Sequence, residues 1–378
     1  MFYRSIIIVL ILSSFGIGFF PYQASILRIL GIIYLISLKG ISYKNIKAIA
    51  LTSSLAVLHY LVFRQNSIIP FYLTVVFVIL LRKVIIEDVF RAHFIQVATV
   101  LSILTIFSAL LGLSALSVTT LNVDTSVYRR IGFFLYTHLP AHVLGYEYYR
   151  PVLCFYEPGS YQIIFALALF WNLYFQGLGS AKSILLLFGL LANFSTAGLI
   201  SLALLFAFHY YRARSLSSIF LGLVLALPIY NLVSENIKDK FLGDNSESSI
   251  ARIVDFNNGL YIIKKRPILG HGILEPKEYS RINTKKFYQK YFAGDDYTQN
   301  TLYGRGNSVG VLNVVISFGL LGLLLLGYLF FRYSERNFFW KLIIGIYSIS
   351  QPLILTPLVL LIITAGHTKL SRLHSLKR

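Results

Sequence analysis

The chain has 378 residues, of which 56% are hydrophobic, 15% aromatic and only 13% charged, with a mean hydropathy of +0.70; soluble domains carry about a quarter charged residues. Apolar runs recur from one end to the other, which excludes a soluble enzyme and a soluble domain on a single anchor. The net charge of +19 would suggest nucleic acid in a soluble protein, but much of it lies in short segments between apolar runs, so membrane topology explains that part and no nucleic-acid partner is expected.

Backbone groups in such runs must be satisfied within helices or a closed barrel. The runs are long and do not alternate, so helices are expected. Span length places membrane helices at roughly 5–20, 25–38, 46–63, 68–81, 94–117, 158–176, 183–194, 196–211, 216–233, 308–331, 341–351 and 353–365, about twelve, with ten as the lower count. The N-terminal MFYRSIIIVLILSSFGIGFF has the basic start and apolar run of a signal peptide but no A-x-A-like cleavage site, and a second apolar run follows at once. It reads as a retained first helix. Residues 183–211 read as two helices or as one long helix broken by the polar and small residues Asn193 to Gly198, and Pro352 and Pro357 pose the same choice near the end. The expected fold is an all-α polytopic integral membrane protein, a single membrane domain over 1–378.

Basic residues in the short connections set the orientation. Lys39, Lys44 and Lys47, then Arg82, Lys83 and Arg91, then Lys182, Arg212 and Arg214, then Arg332, Arg336 and Lys341 fall on one side. The tail residues Lys369, Arg372, Lys377 and Arg378 join them if the last run is a hairpin. That side is expected to be cytoplasmic, with both termini. Two long connections, 118–157 and 234–306, then face outward as large outer loops, and loops of such length inside a compact domain are commonly functional. Cys154 is the one cysteine, which excludes a disulfide framework and a cysteine-based zinc site.

The segment RPVLCFYEPGSYQ, Arg150 to Gln162, places Glu157-Pro158-Gly159-Ser160 before an apolar run. Proline suits the first position of a helix, so a helix starts here at the outer surface, and its free amides and dipole favour an anion such as a diphosphate. On spacing alone Glu157 can equally be a helix cap neutralised by Arg150. Farther on, Ser248 to Gly272 carries Ile250, Ile253, Val254, Leu260 and Ile263 at a rough helical period, closed by Pro267 and a glycine turn. This is expected to be an amphipathic helix on the membrane surface, with Arg252 near its start. Lys264, Lys265 and Arg266 can simply meet anionic headgroups or the dipole of the helix C-terminus. Gly270-His271-Gly272 lacks the preceding strand and third glycine of a nucleotide fingerprint, and His271 has a structural reading beside a catalytic one. Tyr303 to Gly327 brings Arg305 and Asn307 to the mouth of the next membrane helix, where Gly319 and Gly322 can serve close packing. Arg28 and His59 are the remaining intramembrane ionisable residues, functional candidates because burying them is costly; Arg28, near a helix end, can instead snorkel to the surface.

An Arg...Glu-Pro-Gly segment (Arg150, Glu157, Pro158, Gly159) opening a mid-chain helix, a large loop with Arg...Pro-x-x-Gly-x-Gly (Arg252, Pro267, Gly270, Gly272), then an Asn at the next helix (Asn307) resembles the O-antigen polymerase (Wzy-type) branch of the O-antigen polymerase and ligase superfamily. The similarity in layout covers nearly the whole chain on sparse motifs. The resemblance implies a GT-C-like polymerase and ligase architecture in a bacterial cytoplasmic membrane. It also implies undecaprenyl-diphosphate-linked oligosaccharides as donor and acceptor, with membrane lipids and a chain-length regulator as further partners. In the ligase branch the acceptor is the lipid A core, and a His just before the Asn at the helix mouth is typical. This chain has Arg305-Gly306-Asn307, which favours polymerase.

In the implied reaction, a sugar hydroxyl attacks the donor's anomeric carbon and negative charge grows on the departing diphosphate. Guanidinium groups and helix N-termini stabilise such charge. Arg150, Arg252 and Arg305 are the candidates, with Asn307, Arg266 and Arg28 as further binding residues. Glu157 is the best-placed carboxylate for a base and His271 the second choice. No cofactor is expected, and no His/Asp cluster suggests a metal. Ligation to lipid A core and a flippase or transporter remain the alternative readings; transport would not need two large outer loops.

Overall fold

The first helix to consider is the most buried one. Residues Pro158–Phe175 are apolar on every side, and a helix hydrophobic all round must be surrounded. In the computed structural model every residue from Tyr161 to Leu173 is buried. The structure describes residues 2–15, 23–39, 43–65, 68–85, 87–113, 119–123, 126–130, 136–143, 146–153, 155, 158–213, 234, 246–273, 309–333, 337–351 and 354–365.

Among these are twelve helices: α1 Phe2–Phe15, α2 Gln23–Lys39, α3 Tyr43–Phe63, α4 Ile68–Val84, α5 Glu87–Leu113, α6 Pro158–Phe175, α7 Ala181–Ala192, α8 Thr196–Ala213, α9 Ser246–Lys265, α10 Gly310–Tyr333, α11 Phe338–Ser350 and α12 Pro357–Ala365. Helices α5, α7, α8 and α11 pack around α6, while α1 to α4 and α12 extend the bundle to one side. Two spans, Asp88–Leu111 and Gly310–Arg332, are long and apolar enough to cross a membrane on length and composition alone; seven further apolar helices of 10–17 residues accompany them among the described residues. The chain is mostly helical and its apolar helices suit an integral membrane protein. The expected span at 216–233 lies outside the described residues, as does most of the loop 234–306 apart from α9.

The all-α expectation needs one correction. Within the first long connection, β1 Thr119–Val123, β2 Ser126–Arg130, β3 Tyr136–Val143 and β4 Tyr146–Leu153 form a four-stranded antiparallel meander in chain order, with a register irregularity between Thr137 and Pro140. The runs TTLNV, SVYRR and YTHLPAHV are rich in β-branched and aromatic residues, but each is short and carries polar residues, a weak signal beside a membrane helix.

Both breaks left open by the sequence divide the chain into separate helices. Between α7 and α8, Phe194 takes φ 47° and the Ser195 hydroxyl accepts from the Gly198 amide at 3.1 Å, capping α8. At the other break, α12 opens on Pro357, the first helical position that proline favours. At the end of the bundle where α6 finishes and α11 begins, cations lie over aromatic rings: Arg212 is 4.0 Å from the Tyr174 ring centre and Lys341 is 5.1 Å from that of Phe331. The basic short connections therefore gather with aromatic residues, as in the interfacial belts of membrane proteins.

Candidate active site

At the opposite end, several helix N-termini converge. A Cβ built on Gly159, in the first turn of α6, would stand 3.0 Å from the Gln351 amide nitrogen. One built on Gly310, the first residue of α10, would overlap the carbonyl oxygens of Ser348 and Gln351. The starts of α6 and α10 thus meet across Gln351, the buried residue that closes α11. The start of α8 joins them: Ser195 donates to Gln162 Oε1, and Gly198 lies against the same Gln162 side chain. Strand β4 reaches this end too, since the Tyr161 hydroxyl lies 2.9 Å from the Pro151 carbonyl oxygen and 2.7 Å from Asn193 Oδ1. Arg150, half-buried, is the neighbour of Pro151. The first turns of three helices, with strand β4 reaching the same end, make a setting favourable to an anion.

The Pro-x-x-Gly-x-Gly segment supplies the second part of the site. Helix α10 is broken at Gly319, which takes φ 67° and ψ −168°. An unbroken helix would pair the Leu320 amide with the Ile316 carbonyl and the Leu321 amide with the Ser317 carbonyl. Instead His271 donates its amide to Ile316 at 2.7 Å and Gly272 donates to Ser317 at 3.0 Å, while Leu320 donates to Pro267 at 2.8 Å and Leu321 to Ile268 at 3.4 Å. Each of the four orphaned groups is matched by one from 267–272, which is how non-helical backbone is tolerated at membrane depth. The glycines permit the approach. A Cβ at Gly270 would stand 2.6 Å from the Gly319 nitrogen and 2.7 Å from the Ile316 oxygen, and one at Gly319 would overlap the Ile268 carbonyl. Gly270 and Gly272 also adopt φ 71° and 82°, a region in which only glycine is unstrained.

This splint ties α9 to α10. Ile262 of α9 packs with Leu312 and Ile316 of α10, flanked by Ile263 and Val309. His271 is held from three directions: by its amide, by its carbonyl accepting from Gln65 Nε2 at 3.2 Å, and by its ring, whose Nε2–H donates to the Ile262 carbonyl at 3.0 Å. The bond to the Ile262 carbonyl needs the ring proton on Nε2 and leaves Nδ1 as the acceptor atom.

The remaining expected site residues separate clearly. Arg252 lies in the second turn of α9. Arg266 follows α9, exposed. Glu157, Arg305 and Asn307 fall outside the described residues, although their neighbours Pro158 and Gly310 open α6 and α10. Arg28 stands apart: its guanidinium donates to the Ser13 carbonyl at 2.9 Å and the Pro70 carbonyl at 3.1 Å, tying α2 to α1 and α4. One residue went unremarked in the sequence. Asn258 of α9 is 0% exposed, and neither Oδ1 nor Nδ2 has a hydrogen-bond partner among the described residues. The signal was its setting, because Asn257-Asn258-Gly259 is a run of poor helix formers in the interior of a helix.

Residues 181–327 match the Wzy_C family model, O-antigen ligase. The match spans α7, α8, α9 and most of α10, including its break, and supports a place in the O-antigen ligase and polymerase superfamily, with an enzymatic role in glycan assembly at a membrane. It does not extend to Arg150 or the start of α6. No curated protein and no solved structure matches the chain.

Proposed function

We propose that the protein is a glycosyltransferase that joins undecaprenyl-diphosphate-linked repeat units on the outer face of the bacterial cytoplasmic membrane, extending an O-antigen or capsule chain. The observation that carries this reading is the meeting of the α6 and α10 N-termini across Gln351, at the end of the bundle that strand β4 reaches. Helix amides and guanidinium groups from Arg150, Arg252 and Arg305 hold the donor diphosphate. A hydroxyl of the acceptor attacks the anomeric carbon, its proton passes to Glu157, and the bonding pair leaves with the diphosphate, whose charge the amides and arginines stabilise. His271 is the second choice of base, through Nδ1; Asn307 and Arg266 complete the binding set, while Arg28 contributes from the bundle side. Both termini are cytoplasmic, and 118–157 and 234–306 face outward.

Gly306, where the ligase branch carries His, favours polymerisation; the description of the matched family as O-antigen ligase favours transfer to a lipid A core as the second reading. Product analysis of a deletion strain separates them. Polymerase loss leaves a single repeat unit on the final carrier with long chains absent. Loss of even the single-unit product would instead count against polymerisation.

A further inference from the structure

We propose that Asn258 recognises a sugar hydroxyl of the lipid-linked glycan beside the first turn of α10, an inference that rests on the glycosyltransferase reading above. Asn258 is fully buried and both ends of its amide lack a partner among the described residues. A buried polar group without a hydrogen bond is a standing cost in a folded protein and calls for an explanation. Its position supplies one. Ile262 packs with Leu312 and Ile316, and just beyond the end of α9 the Pro267 and Ile268 carbonyls meet Leu320 and Leu321, so α9 and α10 advance in the same direction. Asn258 is four residues before Ile262, about 6 Å nearer the start of the pair and about 40° around the helix from it. Ile262 packs between Leu312 and Ile316. Asn258 therefore shares the face that meets α10 and lies level with the first turn of α10. Val254, Asp255 and Gly259 are buried on the same side.

The chemistry selects the ligand. A primary amide offers a donor and an acceptor side by side. A pyranose hydroxyl donates and accepts in return, whereas a diphosphate would use Nδ2 and be repelled by Oδ1. Diphosphate falls to the arginines and helix amides, and Asn258 reads the sugar.

Asn258→Leu keeps the shape of the side chain and removes its hydrogen bonding, and Asn258→Asp keeps Oδ1 while replacing the donor. Wild type and both variants are purified as full chains in nanodiscs. Tm is measured with and without lipid-linked repeat unit extracted from a strain lacking this protein, and KM and kcat are measured for chain extension. Asn258→Leu is expected to raise the Tm of the unliganded protein, since the unpaired amide is gone. It should also abolish most of the ligand-induced Tm shift and raise KM roughly tenfold or more, with a smaller change in kcat. Asn258→Asp should likewise lose most of the shift and stands as the deciding variant if the leucine protein does not fold. A variant with wild-type KM and wild-type ligand-induced shift overturns the inference. A wild-type protein that is stabilised by the repeat unit but extends no chain overturns polymerisation instead, and leaves the Asn258 comparison to be decided on the shift.

Discussion

Gly270→Ala tests whether the segment 267–272 is needed to splint the break in α10. An alanine at φ 71° costs about 1–2 kcal/mol in backbone strain before it touches anything. Its Cβ would then meet three backbone atoms at 2.6–2.7 Å, the nitrogens of Gly319 and Phe318 and the oxygen of Ile316. None belongs to a flexible side chain, so the segment must withdraw. Opening one rung of the exchange, His271 to Ile316 for example, orphans a donor and an acceptor in apolar surroundings at about 1–3 kcal/mol each. The total is about 3–8 kcal/mol, large against the stability of most domains. The control is Gly345→Ala in α11, where nothing lies within 4 Å; a Gly→Ala change inside a helix stabilises by about 0.5–1 kcal/mol. Chemical denaturation of both variants in detergent micelles, followed by tryptophan fluorescence and by limited proteolysis between α9 and α10, measures the difference. A Gly270→Ala protein as stable as Gly345→Ala would refute the splint.

Further outcomes are expected. Arg150→Ala and Arg252→Ala should abolish chain extension with lysine restoring little, because a point charge cannot reproduce the bidentate grip of a guanidinium. Glu157→Gln should slow extension by roughly a hundredfold if Glu157 is the base; near-normal chains in a purified assay would remove that role. Cysteines at Ser126 and Ser280 should react with an impermeant thiol reagent in intact spheroplasts, and protection at either site would reverse the proposed topology.

The helices were legible because membrane spans announce themselves by length and apolarity. The starts of α6 and α10 were expected within a residue or two from Pro158 and the run after Asn307. The β-meander was not, since its short mixed strands carry no comparable signal. Gly270, Gly272 and Gly319 were visible as motif and packing glycines, but their pairing was hidden. Nothing in a sequence shows that two turns nearly fifty residues apart exchange backbone hydrogen bonds. Asn258 was overlooked for a related reason. A single amide in an amphipathic helix looks surface-bound until the partner helix that buries it is placed.

The one-for-one exchange also constrains how related chains can differ. Residues 267, 268, 271 and 272 meet 316, 317, 320 and 321 in a fixed register, so inserting or deleting one residue in either stretch would slip every rung at once. The spacing from Pro267 to Gly272 should therefore be invariant among proteins that share this break. Gly270 and Gly319, which occupy the same crowded volume, should be inherited as a pair: a lineage that straightens α10 by replacing Gly319 has no further use for Gly270 and is free to lose it.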